Sequence, residues 1–187
     1  MKLNDFRWMI ACAVAASLAS TIPSFAQGDV SGSSVIATSR QMNVPVDGKF
    51  TRFSAQVNFD PARPTTGAAN LSIDTGSFDL GDASYNEQVR GKEWFDSATY
   101  PKATFVSSAI IPTGNAHLKV TGKLTIKGKS QNVTVPVIVT QQGAKQIFDG
   151  VLPIKRTQFD IGTGEWKDTS IVADEVVIKF HVIVVKQ

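Results

Sequence analysis

Residues 117–139 alternate between apolar and polar side chains with a period of two. Successive side chains of a β-strand point to opposite faces, so this pattern indicates strands that are buried on one face only. The period is interrupted at residues 128–131, which predicts a turn there. The apolar positions that share one face are Leu118, Val120, Leu124 and Ile126, followed by Val133, Val135, Val137 and Val139. The pattern leaves open whether this face meets a packed interior, a second sheet or a molecule that is not protein.

Six other segments have the character of strands. They are residues 34–42, 48–59, 68–75, 102–111, 145–159 and 174–185, and a bend is expected in the fifth of them, at Pro153. About eight strands of ordinary length, joined without the alternation of strand and helix that marks a parallel sheet, predict an all-β fold. The architectures that remain are a sandwich and a closed antiparallel barrel.

One helix, of two turns at most, is predicted at residues 82–91. Ser84 and Glu87 have the spacing of a capping box, and Asp82 is an alternative cap. Gly91 is expected to end the helix.

The N-terminal residues have the features of a secretory signal peptide. Lys2 and Arg7 give a positive start, and the apolar run that follows is too short to span a bilayer comfortably. Ser24 and Ala26 are the small residues of a cleavage site, so cleavage is expected after Ala26. This predicts a protein of the periplasm.

The predicted organisation has three parts: a signal peptide at 1–26, a flexible lead-in at 27–32 and a single domain at 33–187. No later apolar stretch is long enough for a membrane helix, so no integral membrane segment is expected once the signal peptide is removed. The net charge of +3 is dispersed along the chain, so we expect no nucleic-acid partner.

The composition limits the chemistry that this chain can perform. Cys12 is the only cysteine, and it lies in the predicted signal peptide, so no disulfide, thiolate metal site or attached c-type haem is expected. His117 and His181 fall on the polar faces of strands among lysines, which indicates exposed residues and not metal ligands. The sequence has no Gly-rich phosphate loop, Ser-His-Asp set or nucleophile elbow. We therefore expect a binding protein and not an enzyme, with no catalytic residues, cofactor or metal.

Residues 73–78 contain the Asp-Thr-Gly-Ser string of aspartic proteases. That chemistry needs two carboxylates that share a proton, and the sequence has one such string. A dimeric protease in which a second Asp74 supplies the partner is therefore a remote alternative. Asp74, Thr75 and Gly76 are better explained as the end of a strand and a turn.

Two stretches in the middle of the chain carry a specific signature, at residues 91–105 and 120–137. The residues that form it are Trp94, Phe95, Asp96, Tyr100, Pro101, Ala103, Thr104 and Phe105, followed by Gly122, Leu124, Thr125, Ile126, Lys127 and Gly128. With these residues the chain resembles the YceI-like family, secreted bacterial proteins with a lipocalin-like barrel. The likeness covers roughly residues 33–185.

The resemblance implies an antiparallel up-and-down β-barrel of about eight strands, with one short helix, that encloses a long apolar cavity. In characterised relatives the cavity holds a polyisoprenoid chain or a fatty-acyl amide, and no catalytic residue set belongs to the family. The expected partner is therefore a long-chain isoprenoid or fatty-acyl lipid, bound by a monomer or a homodimer. The residues expected to line the cavity are Phe53, Val57, Leu71, Ile73, Phe105, Leu118, Val120, Leu124, Ile178 and Phe180, with Trp94, Phe95 and Trp166 nearer its ends.

A second hypothesis concerns a barrel whose interior is full. An eight-stranded barrel is either filled by its own side chains or holds one slim ligand. The expected inward residues include large ones, such as Phe105 and Phe180, and small ones, such as Ala69 and Gly122. A filled barrel would act through its surface, as an interaction or stress-protection module, and an internal void distinguishes the two hypotheses.

Overall fold

The computed structural model describes residues 26–185, with their side chains from residue 32 onward. No helix in this part of the chain is long and apolar enough to cross a membrane. The signal-peptide prediction therefore lies, apart from Ala26, outside the described residues. The strands are β1 (Ala26–Gln41), β2 (Val44–Phe50), β3 (Phe53–Asn58), β4 (Ala68–Asp74), β5 (Phe78–Asp79), β6 (Lys102–Gly114), β7 (His117–Ile126), β8 (Lys129–Gln142), β9 (Lys145–Lys155) and β10 (Glu175–Val185), and the helix is α1 (Ala83–Arg90).

Eight of the ten strands form a closed antiparallel ring. Ladders join them in the order β10, β9, β8, β7, β6, β4, β3 and β1, and β1 also pairs with β10. β2 and β3 follow one another along the same edge of β1, because β2 pairs with residues 35–41 and β3 with Ala26 and Gln27. β5 pairs with the end of β2, outside the ring. The predicted all-β antiparallel barrel with one short helix is confirmed.

The strand predicted at 48–59 is interrupted at Thr51 and Arg52, which separate β2 from β3. Here the backbone bonds to the segment 75–77 and not to β1. The Thr51 amide donates to the Ser77 carbonyl at 3.2 Å, and the Arg52 amide donates to the Ser77 hydroxyl oxygen at 3.1 Å. The prediction of one unbroken strand was wrong because these partners lie about 25 residues away in sequence.

β1 begins at Ala26 and not at residue 34, so it includes the residues expected as a lead-in. Its ladder with β10 changes register between Asp29 and Ser34. At this shift the Ile183 amide donates to the Ser33 hydroxyl oxygen at 2.9 Å, which satisfies a donor of β10. The early part of β1 also pairs with β3, so it closes the ring.

The cap of α1 is Asp82 and not Ser84. The Asp82 carboxylate accepts hydrogen bonds from the amides of Ser84, at 2.9 Å, and Tyr85, at 3.2 Å. Hydrogen bonds from the Ser84 hydroxyl and from these amides lower the pKa of Asp82. Because the helix starts at Ala83, Ser84 lies inside the first turn, and the predicted capping box does not form. The helix ends at Gly91 as predicted.

The turn between β7 and β8 consists of two residues, Lys127 and Gly128, and lies earlier than the predicted turn at 128–131. Their φ angles are +47° and +72°, so both lie in the left-handed region. Tight hairpins with two such residues match the twist of antiparallel strands. Ile126 and Lys129 pair directly across the turn, so β8 starts sooner than the sequence pattern indicates.

A buried arginine anchors the long connection between β9 and β10. The Arg156 side chain is 1% exposed. Its five N–H groups all donate to backbone carbonyls, and no carboxylate bonds to them. The bonds run from Nε to Ala173 at 3.1 Å, from Nη1 to Ile161 and Gly162 at 2.9 Å each, and from Nη2 to Trp166 at 2.8 Å and Val172 at 2.7 Å. One side chain thus holds both ends of the connection.

We predict that Arg156→Met lowers the free energy of unfolding by about 3–5 kcal/mol, because it leaves several carbonyls without donors in a buried place. Arg63→Met is the matched control, since Arg63 forms only an exposed surface pair with Asp60, and we expect a change within about 0.5 kcal/mol for it. Urea unfolding of both variants measures the difference. Equal loss in the two variants would contradict the anchoring role of Arg156.

Candidate functional site

A cavity lies inside the ring of strands. Its volume is about 110 Å³. Thr104 is the one lining residue with a polar side chain. The residues that line it are Val35, Val57, Ala69, Leu71, Ile73, Thr104, Phe105, Ile110, Leu118, Val120, Leu124, Val135, Val137, Phe148, Leu152, Ile178, Phe180 and Val182. The interior of the barrel is therefore neither completely filled nor polar.

The cavity is elongated along the strands. On β7 its lining runs from Leu118 to Leu124, which corresponds to about 20 Å of strand. An ordered water needs two to four polar partners, and an apolar cavity without them stays dry. The shape and the lining therefore suit a slim apolar chain and do not suit a water-filled channel.

Glycines on neighbouring strands allow two large aromatic rings to lie against the barrel wall. A Cβ atom at Gly150 would meet the ring of Phe180 at 2.3 Å, and one at Gly122 would meet the ring of Phe105 at 2.5 Å. Phe180 is the direct ladder partner of Gly150. Each ring thus occupies the place that a side chain on the next strand would take, and this arrangement leaves space along the barrel axis.

One end of the barrel is closed by a cluster of aromatic rings. Phe50 and Phe78 lie 4.7 Å apart between ring centroids, and Phe95 lies 5.8 Å and 5.5 Å from them, edge-on. The cluster also contains Val35, which lines the cavity. At the opposite end Phe59 and Phe148 pack edge to face at 5.7 Å. Both ends of the cavity therefore have aromatic closures.

Lys127, a residue of the sequence signature, holds loops together at the first of these ends. Its Nζ donates to the Lys92 carbonyl at 2.7 Å and to the Asp160 carbonyl at 2.8 Å. Burial lowers the pKa of Lys127, while the nearby carboxylates of Asp96, Asp160 and Glu93 act in the opposite direction. The signature therefore includes a residue that joins the β7–β8 turn to the segments after α1 and after β9.

The structure places nine of the thirteen predicted residues on the cavity wall. They are Val57, Leu71, Ile73, Phe105, Leu118, Val120, Leu124, Ile178 and Phe180. Phe53, next to the interruption at residues 51–52, packs against the aromatic cluster instead. Trp94, Phe95 and Trp166 do not line the cavity either. Trp94 and Phe95 pack at the end that the cluster of Phe50 and Phe78 closes, and the rings of Trp94 and Trp166 lie 5.6 Å apart. Binding of a ligand by any of these residues stays a prediction.

Nine lining residues were missed by the sequence analysis as candidate site residues. Val135, Val137 and Val182 were in phase with predicted lining residues, so the period of two was a usable signal for them. Val35 reaches the cavity because β1 pairs with β10, which lies about 150 residues away in sequence. The full missed set is Val35, Ala69, Thr104, Ile110, Val135, Val137, Phe148, Leu152 and Val182.

The remaining sequence candidates have local structural partners. Asp74 ends β4, where its carboxylate accepts from Arg52 Nε at 2.9 Å and from the Gly76 amide at 2.9 Å. His117 is exposed as predicted. His181 is half-buried, and its Nδ1 lies 2.6 Å from an Asp149 carboxylate oxygen, so the prediction of a simply exposed residue was wrong. Among residues 26–185, no three His, Asp or Glu side chains are grouped so that they could hold a metal ion.

Known proteins share this architecture. The crystal structure of Burkholderia cenocepacia BcnA is 65% identical, with a TM-score of 0.82 over 83% of this chain and 98% of that chain. A polyisoprenoid binding domain from Saccharophagus degradans, implicated in plant cell wall breakdown, is 18% identical, with a TM-score of 0.72 over 88% of this chain and 100% of that one. This second likeness shows the fold alone.

Curated relatives match over a shorter span. A UPF0312 protein of Shewanella oneidensis is 31% identical over 98 residues, which is 52% of this chain and 51% of that protein. The chain thus spans about half the length of the curated relatives it matches. Residues 27–184 match the profile of the YceI-like domain, almost the whole of the described barrel. The chain belongs to the YceI-like family.

Proposed function

We propose that this protein binds and carries a long-chain apolar molecule, of the polyisoprenoid or fatty-acyl amide type, in the cavity of its barrel, and that it does so in the periplasm. The observation that carries the proposal is the elongated cavity with apolar walls. The N-terminal sequence, with its signal-peptide features, supports the location. The fold is shared with a domain named for polyisoprenoid binding, which supports the class of ligand.

The energetics of such a site favour long chains. Burial of each CH₂ group contributes about 0.8 kcal/mol, so affinity rises with the length of chain that the cavity accepts. Apart from Thr104, every residue of the lining has an apolar side chain, and a buried polar head group without partners would cost several kcal/mol, about 2–7. The ligand is therefore an apolar chain whose polar group, where it has one, stays outside the cavity. The filled-barrel hypothesis is disfavoured because the interior contains a void.

Protein released gently from the periplasm of the bacterium that encodes it is expected to carry a lipid. Native mass spectrometry measures this as a mass adduct, and extraction followed by fragmentation identifies the chain. The expected adduct is a single isoprenoid or fatty-acyl molecule for each polypeptide. Protein that is free of adducts in this state would favour the surface-module hypothesis over the carrier.

Two adjacent isoleucines on β6 provide a matched test of the cavity. Ile110 lines the cavity and is 4% exposed, whereas Ile111 points outward and is 50% exposed. Ile110→Trp fills one end of the cavity and should remove space for two or three CH₂ groups, so we expect at least a tenfold loss of affinity for dansyl-labelled hexadecanamide. Ile111→Trp should change this affinity less than twofold. Fluorescence titration measures both, and equal affinities in the two variants would contradict binding in the cavity.

The glycine beneath Phe180 provides a second test. In Gly150→Ala we expect the new methyl group to displace the Phe180 ring from the wall toward the cavity, because the three atoms nearest to a Cβ atom there all belong to that ring. We expect about a tenfold loss of affinity for the same amide and a stability loss of about 1–3 kcal/mol. Adding Phe180→Leu to Gly150→Ala should restore most of the affinity. The mechanism fails if the single variant binds as tightly as the wild type, or if the second substitution restores nothing.

A further inference from the structure

The wall of the barrel has a seam between β8 and β9. Their ladder pairs residues 137–142 with 145–150 and stops at the pair Val137–Gly150. Beyond this pair β8 extends back to Lys129 and β9 continues to Lys155. Both stretches remain paired on their other edges, to β7 and to β10. The seam is thus the unpaired boundary between residues 129–136 and 151–155, about 15 Å long on β9.

Two prolines explain why the ladder stops. Alternate residues of a strand direct their N–H groups to the same neighbour. The Val139 amide bonds to the Ala116 carbonyl, on the β7 side, so the nitrogen of Pro136 faces β9. The Arg156 amide bonds to the Asp174 carbonyl, on the β10 side, so the nitrogen of Pro153 faces β8. Proline has no N–H to donate, and both missing donors therefore fall on the edges that face the seam.

The register of β8 and β9 shows which hydrogen bonds the two prolines remove. If the ladder continued, Pro136 would lie opposite Val151 and Thr134 opposite Pro153. Both are positions where the partners would exchange two hydrogen bonds, and each position contains one proline, so each loses one of its two bonds. Two successive rungs are weakened in this way, and the unpaired boundary is a property of the sequence.

The seam leads directly to the cavity. Val135 of β8 and Leu152 of β9 both line the cavity, one on each side of the seam. Outside, the exposed prolines are accompanied by Ile138 and Val151, which are each 47% exposed. An apolar chain thus meets apolar side chains on the outer face beside the seam as well as on the wall of the cavity.

The far end of the seam is closed by side chains. Lys129 Nζ lies 3.2 Å from an Asp160 carboxylate oxygen, and Phe159 is completely buried beside this pair. The aromatic clusters close the two ends of the barrel. A ligand that passes through an end must displace packed rings, whereas parting β8 from β9 at the seam breaks no ladder bond.

We propose that the apolar ligand enters and leaves the cavity sideways, through the seam between β8 and β9, and that Pro136 and Pro153 keep this portal open. The proposal rests on the proposed function, since it concerns the route of the same ligand. It makes a kinetic statement that is separate from affinity: a closed seam slows entry and exit to the same extent and leaves the bound state unchanged.

The test is the double variant Pro136→Thr, Pro153→Thr. Both side chains are exposed on the outer face, and threonine restores the two missing N–H donors without altering the core. Stopped-flow transfer of dansyl-labelled hexadecanamide should show association and dissociation rate constants that both fall at least tenfold, with Kd unchanged within twofold. Pro45→Thr is the matched control, since Pro45 is exposed on β2, outside the ring, and it should leave both rates unchanged.

A reversible crosslink gives the same test without depending on the new hydrogen bonds. In a Cys12→Ala background, Pro136→Cys with Val151→Cys places a disulfide next to the last ladder pair. The oxidised form should exchange the amide at least tenfold more slowly than the reduced form.

The outcomes separate the two proposals. If the crosslinked form exchanges the amide at wild-type rates with a normal Kd, the seam is not the entry route, but the carrier function stands. The ligand would then pass through an end of the barrel or past the two-pair ladder between β1 and β3. If the wild type binds neither the amide nor an isoprenoid alcohol, both the carrier function and the entry route are overturned. A change in Kd with an unchanged association rate would also overturn the seam, because it would place the effect in the bound state.

Discussion

The open interior of this barrel depends on two contacts between an aromatic ring and a glycine on the next strand. Phe180 over Gly150 and Phe105 over Gly122 bring large apolar side chains into the barrel without placing them on its axis. A larger residue at Gly150 would push the Phe180 ring inward, whereas one at Gly122 would meet both the Phe105 ring and the Val106 carbonyl oxygen. A smaller residue in place of either ring would expose backbone to the cavity. The size of the cavity is therefore set by pairs of residues and not by the average size of the inward side chains.

An empty apolar cavity has a cost that a ligand offsets. At about 24 cal/mol for each Å³, a cavity of 110 Å³ costs about 2–3 kcal/mol of stability. A ligand that binds the folded state alone returns stability as its concentration exceeds Kd. The fold tolerates the void because hydrogen bonds stabilise other parts of it. In the connection between β9 and β10, every N–H group of the Arg156 side chain donates a hydrogen bond. Stability and binding are thus located in different parts of the molecule.

Local sequence patterns predicted the strands and half of the eighteen residues of the wall, because the side-chain period of a strand is a local property. Leu118, Val120 and Leu124 follow from it directly, and Phe105 and Phe180 follow from the same rule on their own strands. The rule gives the face of a strand but not how far along it the cavity extends: Phe53 pairs with Ile73, which lines the cavity, and yet packs against the aromatic cluster. Leu152 joins the wall because β9 closes against β8 and β10. The contact between the Phe180 ring and Gly150 cannot be predicted from the sequence either, because it depends on the register that pairs the two residues.

The prolines show the same limit, and they connect the wall to its function. Pro153 indicates a bend when β9 is considered alone, and Pro136 interrupts nothing in the alternation of β8. Their joint effect on the ladder depends on the register of β8 and β9, because that register places both missing N–H donors on the edges that face the seam. Opening an end of the barrel near Arg156 would break some of its five hydrogen bonds, and a bond from a charged group contributes about 1.5–3 kcal/mol. The seam has no ladder bonds to break, so local opening there costs less than opening an end that Arg156 holds. A closed ring of strands can therefore admit a long ligand although packed aromatic rings close its ends, because the ladder between β8 and β9 is interrupted where the nitrogens of Pro136 and Pro153 face the same boundary.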